Sequence, residues 1–191
     1  MPVTFQLNWD KAIAAILYLA GKNLPEFDRY KACKLLFLAD KFHVVRFARP
    51  VTGDVYYALP YGPVPSRILD RLEAFEAGRD EQLASVLELD VKFTYPRYAA
   101  KASPDYSVLS QSEVMALDRA IELFGNKTFP ELKSITHEMP AYSKPWKAKP
   151  SDSNRAEMNF EDFFDEDAEA VAGALEEMQE NDTMRKAFPE F

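Results

Sequence analysis

Residues 33–47 read CKLLFLADKFHVVRF, and placing them at 100° per residue leaves apolar side chains on nearly every side. A helix of that kind has to be enclosed by other elements, so the fold is expected to be built around it. Polar residues interrupt it in two sets. Lys34 and Lys41, seven apart, share one edge and are expected to mark a solvent stripe. Asp40, His43 and Arg46, spaced i, i+3, i+6, form a slanting row on a different side. Such a row can serve as an acid-base relay or a docking site. The preferred reading is a structural seam, in which Asp40 raises the His43 pKa and Arg46 completes the pairing.

The other elements follow from local signals. Asn8 or Asp10 caps a first helix whose Trp9, Ile13, Ile16, Leu17 and Ala20 share one face before Gly21. Asp28 is the N-cap of the central helix, and Arg49-Pro50 ends it, because the residue before proline is driven out of the α region. Thr52-Gly53-Asp54 is a turn, and residues 55–59 alternate as a short strand. Residues 60–65 hold three prolines and are expected to form a stiff loop barred from a sheet interior. Ser66 caps a helix carrying Ile68, Leu69, Leu72 and Phe75. Residues 80–86 suit a helical turn or two, while 91–95 and 106–109 are expected as strands joining 55–59 in one small antiparallel sheet. Ser110 and Glu113 form a capping box before Val114, Leu117, Ile121 and Phe124. Thr128, with Pro130 in the first turn, opens a helix to about His137, and 139–150 is an ordered loop or a linker. The expected class is predominantly helical α+β: a central buried helix surrounded by helices, with a small antiparallel sheet.

A chain of 191 residues supports one sizeable core, here assigned to residues 1–150, with 151–191 as an acidic C-terminal helix and tail packed on that domain. The lone Cys33, inside the central helix, rules out an intrachain disulfide and suits a buried thiol. No apolar run reaches the length of a membrane span and no leader-like segment opens the chain, so a cytoplasmic protein without membrane contact is expected. Residues 1–156 hold 21 Lys+Arg against 19 Asp+Glu, whereas 157–182 hold 11 acids and no base. A near-neutral body with an acidic end gives no reason to expect direct nucleic-acid binding. Metal-ligand spacings, phosphate-cradling glycine loops and nucleophile elbows are missing, so neither an enzyme nor a cofactor or metal site is expected.

Three stretches carry a family resemblance: Lys34-Leu35-Leu36-Phe37-Leu38-Ala39-Asp40, Arg49-Pro50-Val51-Thr52-Gly53-Asp54, and Pro60-Tyr61-Gly62-Pro63-Val64-Pro65-Ser66. Together they resemble the Panacea domain of SocA-like antitoxins, and His137-Glu138-Met139-Pro140-Ala141-Tyr142 resembles a segment found late in that domain. The resemblance spans roughly residues 9–146. It implies an antitoxin that neutralises a cognate toxin by binding it, with adaptors that hand the toxin to a protease, or other regulatory binding proteins, as the alternative.

For partner binding the sequence nominates Arg49, Asp54, Tyr56, Tyr57, Tyr61 and Trp146. Arg49 and Asp54 flank a turn and suit either a structural salt bridge or a surface handle. Tyrosines on a short strand and a stiff proline loop offer large amphipathic contacts at low ordering cost, although alternation sends about one in two of them inward. Trp146 among lysines suits a base-stacking platform or, preferred here, a ring packed on the core. Phe160, Phe163 and Phe164 precede an Asp165-capped helix with Ala168, Val171, Leu175 and Met178 on one side and Glu169, Glu176 and Glu177 on the other. That helix is expected to lie on the body and offer its acids to a basic partner.

Overall fold

The computed structural model describes residues 3–164 and, beyond them, Gly173, Glu176, Glu177, Glu180, Thr183 and Met184, which are helical and exposed. The expected apolar stripe of Ala168, Val171, Leu175 and Met178 lies outside the described residues.

The fold is predominantly helical α+β around one helix. In chain order the elements are α1 (Trp9–Ala20), α2 (Arg29–Phe47), β1 (Tyr56–Leu59), β2 (Gly62–Pro65), α3 (Ser66–Glu76), α4 (Glu81–Val86), β3 (Leu87–Asp90), β4 (Arg97–Ala100), α5 (Gln111–Phe124), α6 (Phe129–Glu138), α7 (Pro140–Ala148), β5 (Ala156–Glu157) and a 3-10 turn, Phe160–Phe163. As the all-round apolar pattern requires, α2 is enclosed: α1, α3, α5, α6, β2 and the 3-10 turn all pack on it. The side chains of residues 31–41 are buried without a break. Asp28 accepts from Lys31 N at 2.8 Å to start α2, and Ala48, in the left-handed region at φ 51°, stops it.

Other caps fall where local chemistry puts them. Asn8 accepts from Lys11 N, Gly21 closes α1, and Ser110 with Glu113 forms the capping box of α5. The start of α3 differs from expectation. Ser66 is its first residue and makes no cap; the carboxylate of Asp54 accepts from Ile68 N at 2.9 Å and Arg67 N at 3.4 Å instead.

The strands differ as well. Two sheets form rather than one: β2-β1-β5, and a separate hairpin β3-β4. Residues 91–95, expected as a strand, are the connection across that hairpin, and Val91, Phe93 and Tyr95 are exposed. The pairing uses Leu87 opposite Ala100 and Leu89 opposite Tyr98, which puts buried Leu87 and Tyr98 inward. Residues 106–109 form no strand. The proline loop holds β2, an edge strand antiparallel to β1 with Tyr57 opposite Val64. An edge suits Pro63 and Pro65, which have no N–H to give a second neighbour. Residues 140–148, expected as loop or linker, are the helix α7, with Pro140 at its first turn and Pro145 inside. On the far side of β1, β5 adds a third strand, and Phe163 behind it packs edge-on to Phe37 and Tyr56.

Candidate partner-binding surface

The polar row of α2 separates into three destinations. Asp40 is buried and accepts four hydrogen bonds from the segment after the helix: Val51 N (2.8 Å), Thr52 N (3.0 Å), Thr52 Oγ1 (2.7 Å) and Tyr56 Oη (2.9 Å). Burial pushes its pKa up to about 6 even though these donors favour the charged form. Gly53 makes the tight path possible: its φ is +75°, and a Cβ there would lie 2.5 Å from Gln6 O.

His43 has a different set of partners. Its Nδ1 faces Arg49 O at 2.6 Å and therefore carries the proton, so Nε2 accepts from Ser112 Oγ at 3.0 Å. Burial lowers its pKa, whereas pairing with Asp40 would have raised it. The expected Asp40–His43–Arg46 seam is thus corrected: Asp40 is spent on the turn, His43 on α5, and Arg46 is exposed.

Arg49 pairs not with Asp54 but with Glu113, whose carboxylate is fully buried and also takes Lys11 Nζ at 2.6 Å and Ser110 N at 2.8 Å. Burial alone would raise the Glu113 pKa; the hydrogen bonds from Lys11 and Arg49 outweigh it and hold the group below the ordinary glutamate value. This pairing joins α1, α5 and the exit of α2. The sequence showed Glu113 only as half of a capping box.

The two lysines assigned to a solvent stripe are inside. Lys41 Nζ donates to Phe163 O and Lys34 Nζ to Pro63 O, both at 2.6 Å, and Lys34 also sits 4.4 Å over the Tyr30 ring. Lys31 is buried too, donating to Pro25 O and Gly125 O. Long side chains let an ammonium leave an apolar helix and cap carbonyls at chain bends. For Lys34 burial pulls the pKa down to about 7. Its bond to Pro63 O occupies an edge carbonyl of β2, and Gly62 gives it room: a Cβ there would lie 3.1 Å from Lys34 Cε and 2.9 Å from Thr136 Oγ1.

The nominated tyrosines divide as strand alternation requires. Tyr56 is 1% exposed and bound to Asp40, and Asp54 is fully buried beneath α3, so neither is placed to touch a partner. Tyr57 and Leu59 lie on the half-open face of β1, and Tyr61, 61% exposed, stands at the hairpin tip. Tyr30 Oη donates to Tyr61 O at 2.7 Å and fixes that tip. The Tyr61 ring leans on Phe129, exposed at the start of α6, which in turn meets Tyr30 at 4.2 Å. Tyr142 Oη donates to Leu59 O at 2.9 Å, which docks α7 against β1. Half-buried Trp146 stacks on Tyr142, and Tyr142 on His137. The result is a surface carrying held aromatic rings in separate places: Phe129 and Tyr61 at the hairpin tip, Tyr57 on the half-open face of β1, and Trp146 on α7. Sequence reasoning missed Phe129 and Lys133, which lack a motif and reach this surface only through the docking of α6 on the hairpin.

Among the described residues no group of three or more His, Cys, Asp or Glu is placed to hold a metal ion, and no helix is long and apolar enough to cross a membrane. The family model for the SocA-like antitoxin, Panacea domain, matches residues 33–147, more than half of the chain, beginning within α2 and ending within α7. No curated protein and no solved structure matches.

Proposed function

The chain belongs to the SocA-like antitoxin family, and from that membership we propose that it is the antitoxin of a toxin-antitoxin pair, neutralising its cognate toxin by direct protein binding. The observation that carries the reading is the family match over residues 33–147. The exposed aromatic surface supports the choice of contact region, because rigid Tyr and Trp rings give large contact area with few torsions to freeze. On this reading Tyr57, Tyr61 and Trp146 touch the toxin, while Arg49, Asp54 and Tyr56 hold the scaffold behind them. The protein acts stoichiometrically, without catalysis.

Co-expression with the product of the neighbouring reading frame tests the proposal. The expected result is that this product alone arrests growth, that the pair grows, and that the two chains elute together. Rescue accompanied by disappearance of the toxin polypeptide, reversed when a host protease is deleted, would mark delivery to a protease instead. Rescue with no physical complex and no proteolysis would overturn the reading.

A further inference from the structure

The aromatic surface is overlaid with cations. Lys133 Nζ lies 5.2 Å from the centre of the Tyr61 ring, Lys149 Nζ 4.7 Å from that of Trp146, and the Arg155 guanidinium 5.0 Å from that of Tyr57. Lys149 is also tied to Ser153 O at 2.7 Å. Nearby Lys127 and Lys144 have carboxylate partners in Glu131 and Asp162. Lys133 and Arg155 have none at ion-pair distance among the described residues. Over residues 127–162 six Lys+Arg face six Asp+Glu, and Glu157 accepts from Tyr57 Oη at 3.3 Å, so the uncompensated positive charge of this surface is that of Lys133 and Arg155.

A ring satisfies only the side of a cation that faces it, and at an exposed site that contact is weak. The outward N–H donors stay open to an acceptor, and an N–H donor meeting a carboxylate makes the stronger, charge-assisted bond. Because Lys133 stands over Tyr61 and Arg155 over Tyr57, an approaching surface can engage ring and cation together.

We propose that this surface takes an acidic protein face, with partner carboxylates on Lys133 and Arg155 and partner apolar groups on Tyr61 and Tyr57. The inference rests on the antitoxin reading and names the sign of the toxin region that is recognised. That sign is opposite to the one complementary to the acids of residues 157–182, the first of which, Glu157, accepts from Tyr57 Oη on this same surface.

The test needs no toxin, so its failure leaves the antitoxin reading standing. A fluorescein-labelled 16-residue peptide of alternating Glu and Ala, and its Gln counterpart, are titrated with the full chain at low salt by anisotropy. The Glu peptide is expected to bind at least tenfold more tightly than the Gln peptide and to weaken at least tenfold at high salt. Lys133→Glu with Arg155→Glu should abolish that preference, whereas Lys22→Glu with Arg119→Glu, the same charge change elsewhere, should leave most of it; circular dichroism confirms that both variants fold. Equal binding of the two peptides, no binding of the Glu peptide, or equal loss in both double variants overturns the proposal. So does a tenfold gain in peptide affinity when the exposed Glu176, Glu177 and Glu180 are changed to Gln, since the occupant would then be this chain's own acidic segment.

Discussion

Replacing Lys34 by methionine should remove a pH dependence that the wild-type protein carries between pH 7 and 9. The ammonium titrates at 10.5 in ordinary surroundings and at about 7 in its buried place over Pro63 O. The folded chain therefore binds fewer protons than the unfolded chain across that interval, and stability rises with pH. Integrating the two titrations from pH 7 to pH 9 gives a gain of ~2 kcal/mol from this residue. Lys31, whose pKa burial also lowers, adds in the same direction. His43, whose pKa burial also lowers, is common to wild type and variant and cancels in their comparison. Cys33 works in the opposite direction as pH rises past 9: burial pushes its thiol up to about 12 from 9, so the folded state holds the extra proton and the gain from Lys34 is progressively offset. The assay is urea unfolding of wild type and Lys34→Met at pH 7, 8 and 9 at constant ionic strength. Wild type should gain ~2 kcal/mol on the variant over that range. Parallel stability curves for the two proteins would show that the ammonium is not desolvated, and the interior placement of Lys34 would be refuted.

Three further outcomes are expected. Leu38→Ala, at a fully buried position of α2, should cost ~2 to 5 kcal/mol in urea unfolding, and a variant as stable as wild type would contradict the enclosure of that helix. Tyr56→Phe removes one of the four donors to Asp40 and should cost ~1.5 to 3 kcal/mol, the range for a hydrogen bond to a charged group; a change under half of the lower figure would mean the hydroxyl is not bound there. A double-mutant cycle on Arg49→Ala and Glu113→Gln should give a coupling of at least ~0.5 kcal/mol, and additive effects would deny the ion pair that joins α2 to α5.

What the sequence made legible was local. The all-round apolar pattern of α2, the capping box at Ser110, the helix start at Thr128 and the Arg49-Pro50 break each involve residues within a turn or two of one another. What it hid depended on partners brought from far along the chain. Seven-residue spacing put Lys34 and Lys41 on one edge but could not tell solvent from a carbonyl, and the carbonyls belong to Pro63 and to Phe163, 122 residues from Lys41. The spacing of Asp40, His43 and Arg46 was right and the inferred seam was not, because Thr52, Tyr56 and Ser112 offered better partners than the row offered itself. In the β3-β4 hairpin the alternating run 91–95 resembled a strand more than Leu87–Asp90 did. Alternation alone cannot distinguish a paired strand from an exposed hairpin connection. Of the candidate surface, Tyr61 could be found from the proline loop, while its neighbours Phe129 and Lys133 depend on how α6 docks.

The most direct test of the account measures the affinity of the purified chain for the product of the neighbouring reading frame, comparing wild type with Tyr61→Ala. Tyr61 is 61% exposed, so the variant should keep wild-type stability to within about 0.5 kcal/mol. The account predicts that binding weakens at least tenfold and that neutralisation of the toxin fails in parallel. An equally stable Tyr61→Ala protein that binds and neutralises as well as wild type would contradict the claim that this surface is where the antitoxin meets its toxin.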